Sequence, residues 1–214
     1  MEEKAAAWPL AGPAAAPEKL YLASASLARA ELLTRAGVLF TQEPAAVDED
    51  EVKAALRANG IAAGELAEAL AERKARVVAE RHPGALVVGA DQVLECGGVW
   101  FDKPTDADEA RAQLRALRGR AHRLINSTCV VRDGARAWRH TAVAELVMRP
   151  FSDDFLEAYV DAADDAALAS LGGYQLEGLG AQLFARVTGD YFTILGLPLV
   201  PLLEFLRGCG MART

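Results

Sequence analysis

Leu20-Tyr21-Leu22-Ala23-Ser24-Ala25-Ser26-Leu27-Ala28-Arg29 is the stretch on which the reading of this chain turns. Apolar residues run into two serines, and a helical pattern begins immediately after them. That order predicts a buried strand delivering the N-terminus of a helix. Such a junction presents unpaired backbone N–H groups and the positive end of a dipole, so it suits anions. Ser24 and Ser26 carry hydroxyls able to donate or to cap the helix, and Arg29 places a fixed positive charge one turn in. A phosphate is the natural guest. A serine-capped helix with a surface arginine is the plainer reading of the same ten residues.

Working outward, residues 1–18 are rich in alanine and proline and begin Met-Glu-Glu-Lys. An acidic, proline-broken start does not make a signal peptide, and we expect a disordered leader. The remainder, 19–214, reads as one domain. The first helix is expected over 27–36, closed by Gly37, with a second strand over 38–42. Residues 43–51 read as a loop carrying Asp48, Glu49, Asp50 and Glu51. A short helix follows over 52–58, then a long one over 65–81 that ends at His82-Pro83-Gly84. The continuously apolar run Ala85-Leu-Val-Val-Gly-Ala90 predicts a strand buried on both faces and ending at Asp91. A hairpin turning at Gly97-Gly98, a helix from Thr105 or Asp106 to Leu117 and two long strands joined at Asp133-Gly134 come next. A helix capped by Ser152 and Asp153, a strand over 181–187 and a helix over 198–208 complete the pattern. Helices mixed with parallel-type and hairpin strands give an α/β class with α+β character, built on a long mixed sheet.

The chain is 214 residues long with 52% hydrophobic and 25% charged residues, and this places it among globular proteins able to bury a core. A net charge of −7 argues against a nucleic-acid partner, and no apolar run approaches a membrane span. An acidic protein that binds an anion must gather cations, or a metal, in one place. Cys96, Cys129 and Cys209 are widely spaced and odd in number, which fits reduced thiols in a cytoplasmic protein. His82, His122 and His140 are isolated as well. Any metal would therefore sit on carboxylates, which favours magnesium or manganese.

Asp91 is the leading candidate for catalysis, because a lone carboxylate at the end of a buried strand is costly without a partner. A turn cap is the alternative. Asp48 and Glu49 can supply a metal ligand beside phosphate oxygens, although four acids in a row also suit a solvated loop. Lys74 falls between Leu70 and Val78 on the helix wheel, so it must snorkel out or meet an anion. Lys103, held extended by Pro104, lies in the turn after the hairpin that leaves Asp91. The arginines at 111, 115, 118, 120 and 123 read as a solvated helix face. The glycines over 172–180 match no dinucleotide fingerprint, and there is no Walker A sequence.

Taken in order, these pieces resemble the Maf family of nucleotide pyrophosphatases. The likeness is carried by Leu-Ala-Ser24-Ala-Ser26 with Arg29, Val-Asp48-Glu49, Glu-Arg-Lys74-Ala, Gly89-Ala-Asp91-Gln92-Val, Lys103-Pro104, Glu177-Gly178-Leu-Gly180 and Gly196-Leu-Pro198-Leu, from about Leu20 to Met211. The resemblance implies an elongated mixed sheet and two lobes around a nucleotide cleft. It implies metal-dependent hydrolysis of a nucleoside triphosphate to the monophosphate and pyrophosphate, a house-cleaning of non-standard nucleotides, in a homodimer. By position, Ser24, Ser26 and Arg29 would hold the triphosphate, and Lys74 and Lys103 would neutralise it. Glu49 and Asp91 would serve the metal, and Asp91 would position or deprotonate the water. The family's Ser-x-Ser-Pro-Arg-Arg loop lacks here its proline and first arginine, replaced by Leu27 and Ala28. Alanine matches neither the arginine of the dTTP/UTP branch nor the aromatic of the 7-methyl-GTP branch. Gln92 and Glu177 match the 7-methyl-GTP branch, and a carboxylate at 177 can accept from the N1–H and amine of a guanine made cationic by N7 methylation. Gly189-Asp190-Tyr191-Phe192 looks more like the dTTP/UTP branch. A septum-formation inhibitor acting by partner binding is the reading from another class. A phosphatase or kinase acting on a small metabolite is a third.

Overall fold

The computed structural model describes residues 19–58 and 60–212. The expected leader at 1–18 and Asn59 lie outside the described residues. The elements are β1 (Leu20–Leu22), α1 (Leu27–Arg35), β2 (Thr41–Gln42), α2 (Glu49–Ala58), α3 (Ala63–Ala79), β3 (Leu86–Cys96), β4 (Val99–Phe101) and α4 (Ala107–Leu117). Then come β5 (Ala121–Arg132), β6 (Ala135–Met148), α5 (Asp153–Ala162), α6 (Asp165–Leu168), β7 (Phe184–Thr188), α7 (Tyr191–Ile194) and α8 (Leu199–Gly208). The class is mixed α/β, as expected. A seven-stranded sheet runs β2-β1-β3-β5-β6-β7, with β4 added to β3.

β3 organises the molecule. One of its edges pairs antiparallel with β5 from Val87 to Glu95. Its other edge is shared: β1 pairs parallel at 86–88, and β4 pairs antiparallel at 94–96. Residues 89–93 have no strand on that edge, so the sheet carries a notch there. The period-2 alternation sorts the side chains cleanly. Leu86, Val88 and Ala90 join the core under α1 and α8, and Leu94 and Cys96 continue into the core under α4 and α5. On the opposite face Val87 and Val93 pack against α3. Gly89 lies on that face too, and a Cβ there would run into the Ala71 carbonyl of α3, so the helix sits directly on the strand.

The structure corrects several boundaries. β3 does not end at Asp91 but continues five residues beyond it, because Asp91 and Gln92 both find polar partners and the ladder to β5 is unbroken. Only Thr41 and Gln42 form the second strand. Val38 is instead spent closing α1, its N–H donating to the Leu33 carbonyl at 3.0 Å while its side chain enters the core. Glu49, expected in a loop, opens α2, and Asp48 caps it by accepting from the Glu51 N–H at 3.0 Å. Residues 179–183 wind into a 3-10 turn, which delays the last strand to Phe184. No helix among the described residues is long and apolar enough to cross a membrane.

Candidate active site

The notch in the sheet opens into a cleft of about 560 Å³, within the range of small-molecule sites. Ser26, Arg29, Glu49, Lys74, Asp91, Gln92, Lys103 and Glu177 all line it. The structure therefore brings seven residues singled out from sequence together with the arginine of the opening stretch. Ser24 lies just beneath, buried.

The strand–helix junction is wired from within. Ser26 caps α1 by accepting from the Arg29 N–H at 3.3 Å, and Ser24 Oγ accepts from the Ser26 N–H at 3.2 Å. Each hydroxyl thus spends acceptor capacity inward and keeps its own proton to donate. The first two amides of the helix, those of Leu27 and Ala28, make no bond within the described residues and remain available. Arg29 turns back into the notch. Its Nε donates to the Gly196 carbonyl at 2.7 Å, and Nη1 donates to Ser24 Oγ at 3.1 Å and to the Ala90 carbonyl at 2.9 Å. A side chain thereby takes the ladder position that a strand partner would have used on Ala90. Burial lowers the Arg29 pKa, against the pull of Asp91 and Glu49, but a guanidinium stays charged in a protein.

On the α3 side, Lys74 is buried, and its Nζ is 2.7 Å from Asp91 Oδ1 and 2.7 Å from Glu49 Oε1. The lysine does not snorkel; it bridges two carboxylates. Desolvation raises the Asp91 pKa, and the attraction of Lys74 and Arg29 does not cancel it. Glu49 is more open. Desolvation pushes its pKa up, but Lys74, Lys53 and Arg29 together bring it below the ordinary value. Lys103 stands across the cleft, its pKa lowered by desolvation and by the neighbouring charge of Arg29.

Gln92 points to the other face of β3. Its Nε2 donates to the Thr193 and Ile194 carbonyls at 3.0 and 3.2 Å, which pins α7 against the cleft and leaves Oε1 as its unspent group. Glu177 is exposed, on the loop after Gly172 and Gly173, both of which hold a positive φ. That loop rests on a buried polar support. Tyr174 Oη lies 2.8 Å from His122 Nε2, and Tyr159 Oη donates to the Gly173 carbonyl at 3.1 Å. Burial lowers the His122 pKa to about 4, so the imidazole is neutral at pH 7. The arginines of α4 behave as a solvated face: Arg111 and Arg115 both pair with Glu157, and Arg118 pairs with Asp153.

Sequence reasoning missed Lys53, Asp102, Trp100 and Tyr174, which also line the cleft. Lys53 had a signal: it lies four residues after Glu49 and so shares its face of a helix. Its Nζ is 2.7 Å from Asp102 Oδ1. Desolvation would lower its pKa, yet Asp102 holds it above the ordinary value.

For a divalent cation the donor set is Glu49 and Asp91, two hard carboxylates facing one cleft. Among the described residues no group of three or more His, Cys, Asp or Glu side chains is placed to hold a metal. Two carboxylates would fit magnesium or manganese, hard ions that keep several waters when few protein ligands hold them.

The comparisons with known proteins match this cleft along its whole length of chain. The family model described as Maf-like protein matches residues 19–209. A protein of Paramagnetospirillum magneticum named nucleoside triphosphate pyrophosphatase is 57% identical over 189 residues, covering 88% of this chain and 97% of its own. Proteins of the same name from Granulibacter bethesdensis and Nitrobacter winogradskyi are 52% and 53% identical, covering 88% and 89% of this chain and 96% and 93% of theirs. Every element that frames the notch, from β1 to α8, falls within the matched span, and the chain belongs to the Maf-like protein family.

Proposed function

We propose that the protein hydrolyses a nucleoside triphosphate to the monophosphate and pyrophosphate, with water attacking the α-phosphorus. The observation that carries this reading is the Asp91–Lys74–Glu49 cluster beside Arg29, with Lys103 in the same cleft. Polyphosphate hydrolysis is mostly positioning and neutralisation of charge, and the chain supplies both. The hydroxyls of Ser24 and Ser26, the amides of Leu27 and Ala28 and the guanidinium of Arg29 receive phosphate oxygens at the helix N-terminus. Lys103 neutralises the chain of phosphates from the other wall. Asp91, its pKa raised, takes the proton of the attacking water, and Lys74 keeps that carboxylate aimed. A positioned base of this kind contributes about 10²–10⁴-fold to rate. Glu49 and Asp91 would hold a magnesium or manganese ion, which when bound neutralises phosphate charge and lowers the pKa of water.

For the base, 7-methylguanine is our reading. Glu177 supports it, since an exposed carboxylate at the cleft edge can accept from the N1–H and the exocyclic amine and favours a cationic purine. The dTTP/UTP reading is kept by the Asp190-Tyr191-Phe192 turn, which stands next to the carbonyls that Gln92 holds. A partner-binding module would have no need of a lysine buried between two carboxylates, so the septum-inhibitor reading falls behind. The family likeness supports a homodimer, which sedimentation would check. Three cysteines that form no disulfide with one another support a cytoplasmic location.

The test is pyrophosphate release from 7-methyl-GTP, GTP, dTTP, UTP and CTP with magnesium or manganese, with Asp91→Asn alongside. Release from one nucleotide that is lost in the variant is expected. Phosphate as the first product, or equal release by the variant, would sink the reading.

A further inference from the structure

Lys53 has no part in the reaction described above, yet it joins two parts of the site. It rises from α2 one turn after Glu49, and its side chain is 19% exposed. Its Nζ lies 2.7 Å from Asp102 Oδ1 and 4.0 Å from Glu49 Oε2. Asp102 belongs to the turn between β4 and α4. Its carbonyl accepts from Gln113 Nε2 at 2.9 Å, so its main chain is fixed to α4. Lys103 follows directly, and Pro104 behind it is buried. Glu49 and Lys103 are thus carried by two separate elements, and the Lys53–Asp102 pair spans them. On α2 itself, Val52 and Leu56 pack against the cluster of Leu66 and Leu70 from α3, and Glu49 pairs with Lys74 of α3, so those contacts hold α2 to α3 while Lys53 holds it to the turn.

We propose that Lys53 is a positioning residue: through Asp102 it ties α2 to the β4–α4 turn and so sets the spacing of Glu49 and Lys103 across the cleft. A half-exposed ion pair contributes little to global stability. Its effect is local, because it fixes where two charged side chains stand relative to each other. The kinetic consequence rests on the triphosphate reading above, whereas the tie itself does not. The rival role for Lys53 is direct contact with phosphate. The two part at Asp102. If Lys53 acts through Asp102, removing either partner loosens both α2 and the turn. If Lys53 touches phosphate, removing Asp102 frees the cation and leaves binding unchanged or improved.

The experiment compares full-length wild type, Lys53→Met, Asp102→Asn, the double variant and Lys53→Arg. Amide hydrogen exchange is read first. Exchange should rise up to about fivefold both over α2 and over 102–105 in each single variant, with no further rise in the double, and Lys53→Arg should restore it. In the nucleotide assay KM should rise about fivefold in each single variant with kcat unchanged, and the double should equal a single. Faster exchange confined to α2, effects of the two single variants that add, or a raised KM for Lys53→Met beside an unchanged KM for Asp102→Asn would each overturn the proposal. A wild type that releases no pyrophosphate from any nucleotide would bring down the proposed reaction, while the exchange comparison would still decide the tie.

Discussion

The two walls of the cleft hold their charges differently. On the wall built by β1, α1, β3 and α3, the charged groups are bonded to the protein before any ligand arrives: Arg29 to Gly196, Ser24 and Ala90, and Lys74 to Asp91 and Glu49. On the wall built by the β4–α4 turn and the 172–180 segment, Lys103 and Glu177 are exposed. The first wall is preorganised and costs nothing to arrange at the moment of reaction. The second can adapt in its side chains alone: its turn is anchored to α4, but among the described residues no hydrogen bond or ion pair holds the side chains of Lys103 and Glu177. On the proposed reading the phosphates, alike in every nucleotide, rest on the fixed wall with Lys103 opposite them. The base, which differs among nucleotides, suits the adaptable one.

The comparison can be broken by mutation. The largest effect is expected for Asp91→Asn, which keeps the shape and removes the proposed base. Pyrophosphate release should fall about a thousandfold with the fold retained, as read by circular dichroism. Lys74→Met should come next. It leaves two carboxylates near each other without their bridge, so stability to urea should fall by about 3 kcal/mol and activity should drop with it. On the adaptable wall, Glu177→Gln should change stability by less than about 0.5 kcal/mol, while selectivity for 7-methyl-GTP over dTTP falls by about tenfold. An equal loss toward every nucleotide would place Glu177 on the phosphates instead. The smallest effect is on pH dependence. Asp91 must be ionised to act, and desolvation raises its pKa, so the acid limb of kcat/KM should lie above the ordinary carboxylate range of about 4. Lys103 must be protonated, and its pKa is lowered, so the alkaline limb should lie below the ordinary lysine value of about 10.4. Lys103→Arg should push that alkaline limb upward, and Lys74→Met should move the acid limb higher still.

The fixed wall was also the more legible in sequence. Ser26 as a cap, Arg29 one turn on and Lys74 on an apolar helix face are local signals, since propensity and periodicity place them without knowledge of the fold. Asp91 was found for a sound reason, the cost of a buried carboxylate, but its position within the strand was misread. An apolar run reads as stopping at a charge unless the partner is known, and Lys74 is seventeen residues away in another element. Glu49 was found and placed in a loop, because four acids in a row hide a helix start that Asp48 caps. Gln92 could not be seen as a clamp, since its acceptors are carbonyls about a hundred residues distant. The four-residue helices α6 and α7 span barely one turn, too short for a repeat of the helical period to reveal them. The spacing of Lys53 from Glu49 puts the two on one helix face, but its tie to Asp102, 49 residues on, leaves no local pattern.

The notched strand has a consequence for how this protein can vary. Asp91 and Gln92 are neighbours that face opposite sides of the sheet, one toward α3 and the other toward α7. Inserting or deleting a single residue between Val88 and Asp91 would exchange their sides. An insertion would bring the carboxylate to the carbonyls of Thr193 and Ile194, and a deletion would bring the amide to Lys74. No side-chain adjustment repairs that. Loops elsewhere in the chain can lengthen or shorten, but here the strand is read like a codon frame, in which a shift of one unit rewrites everything downstream.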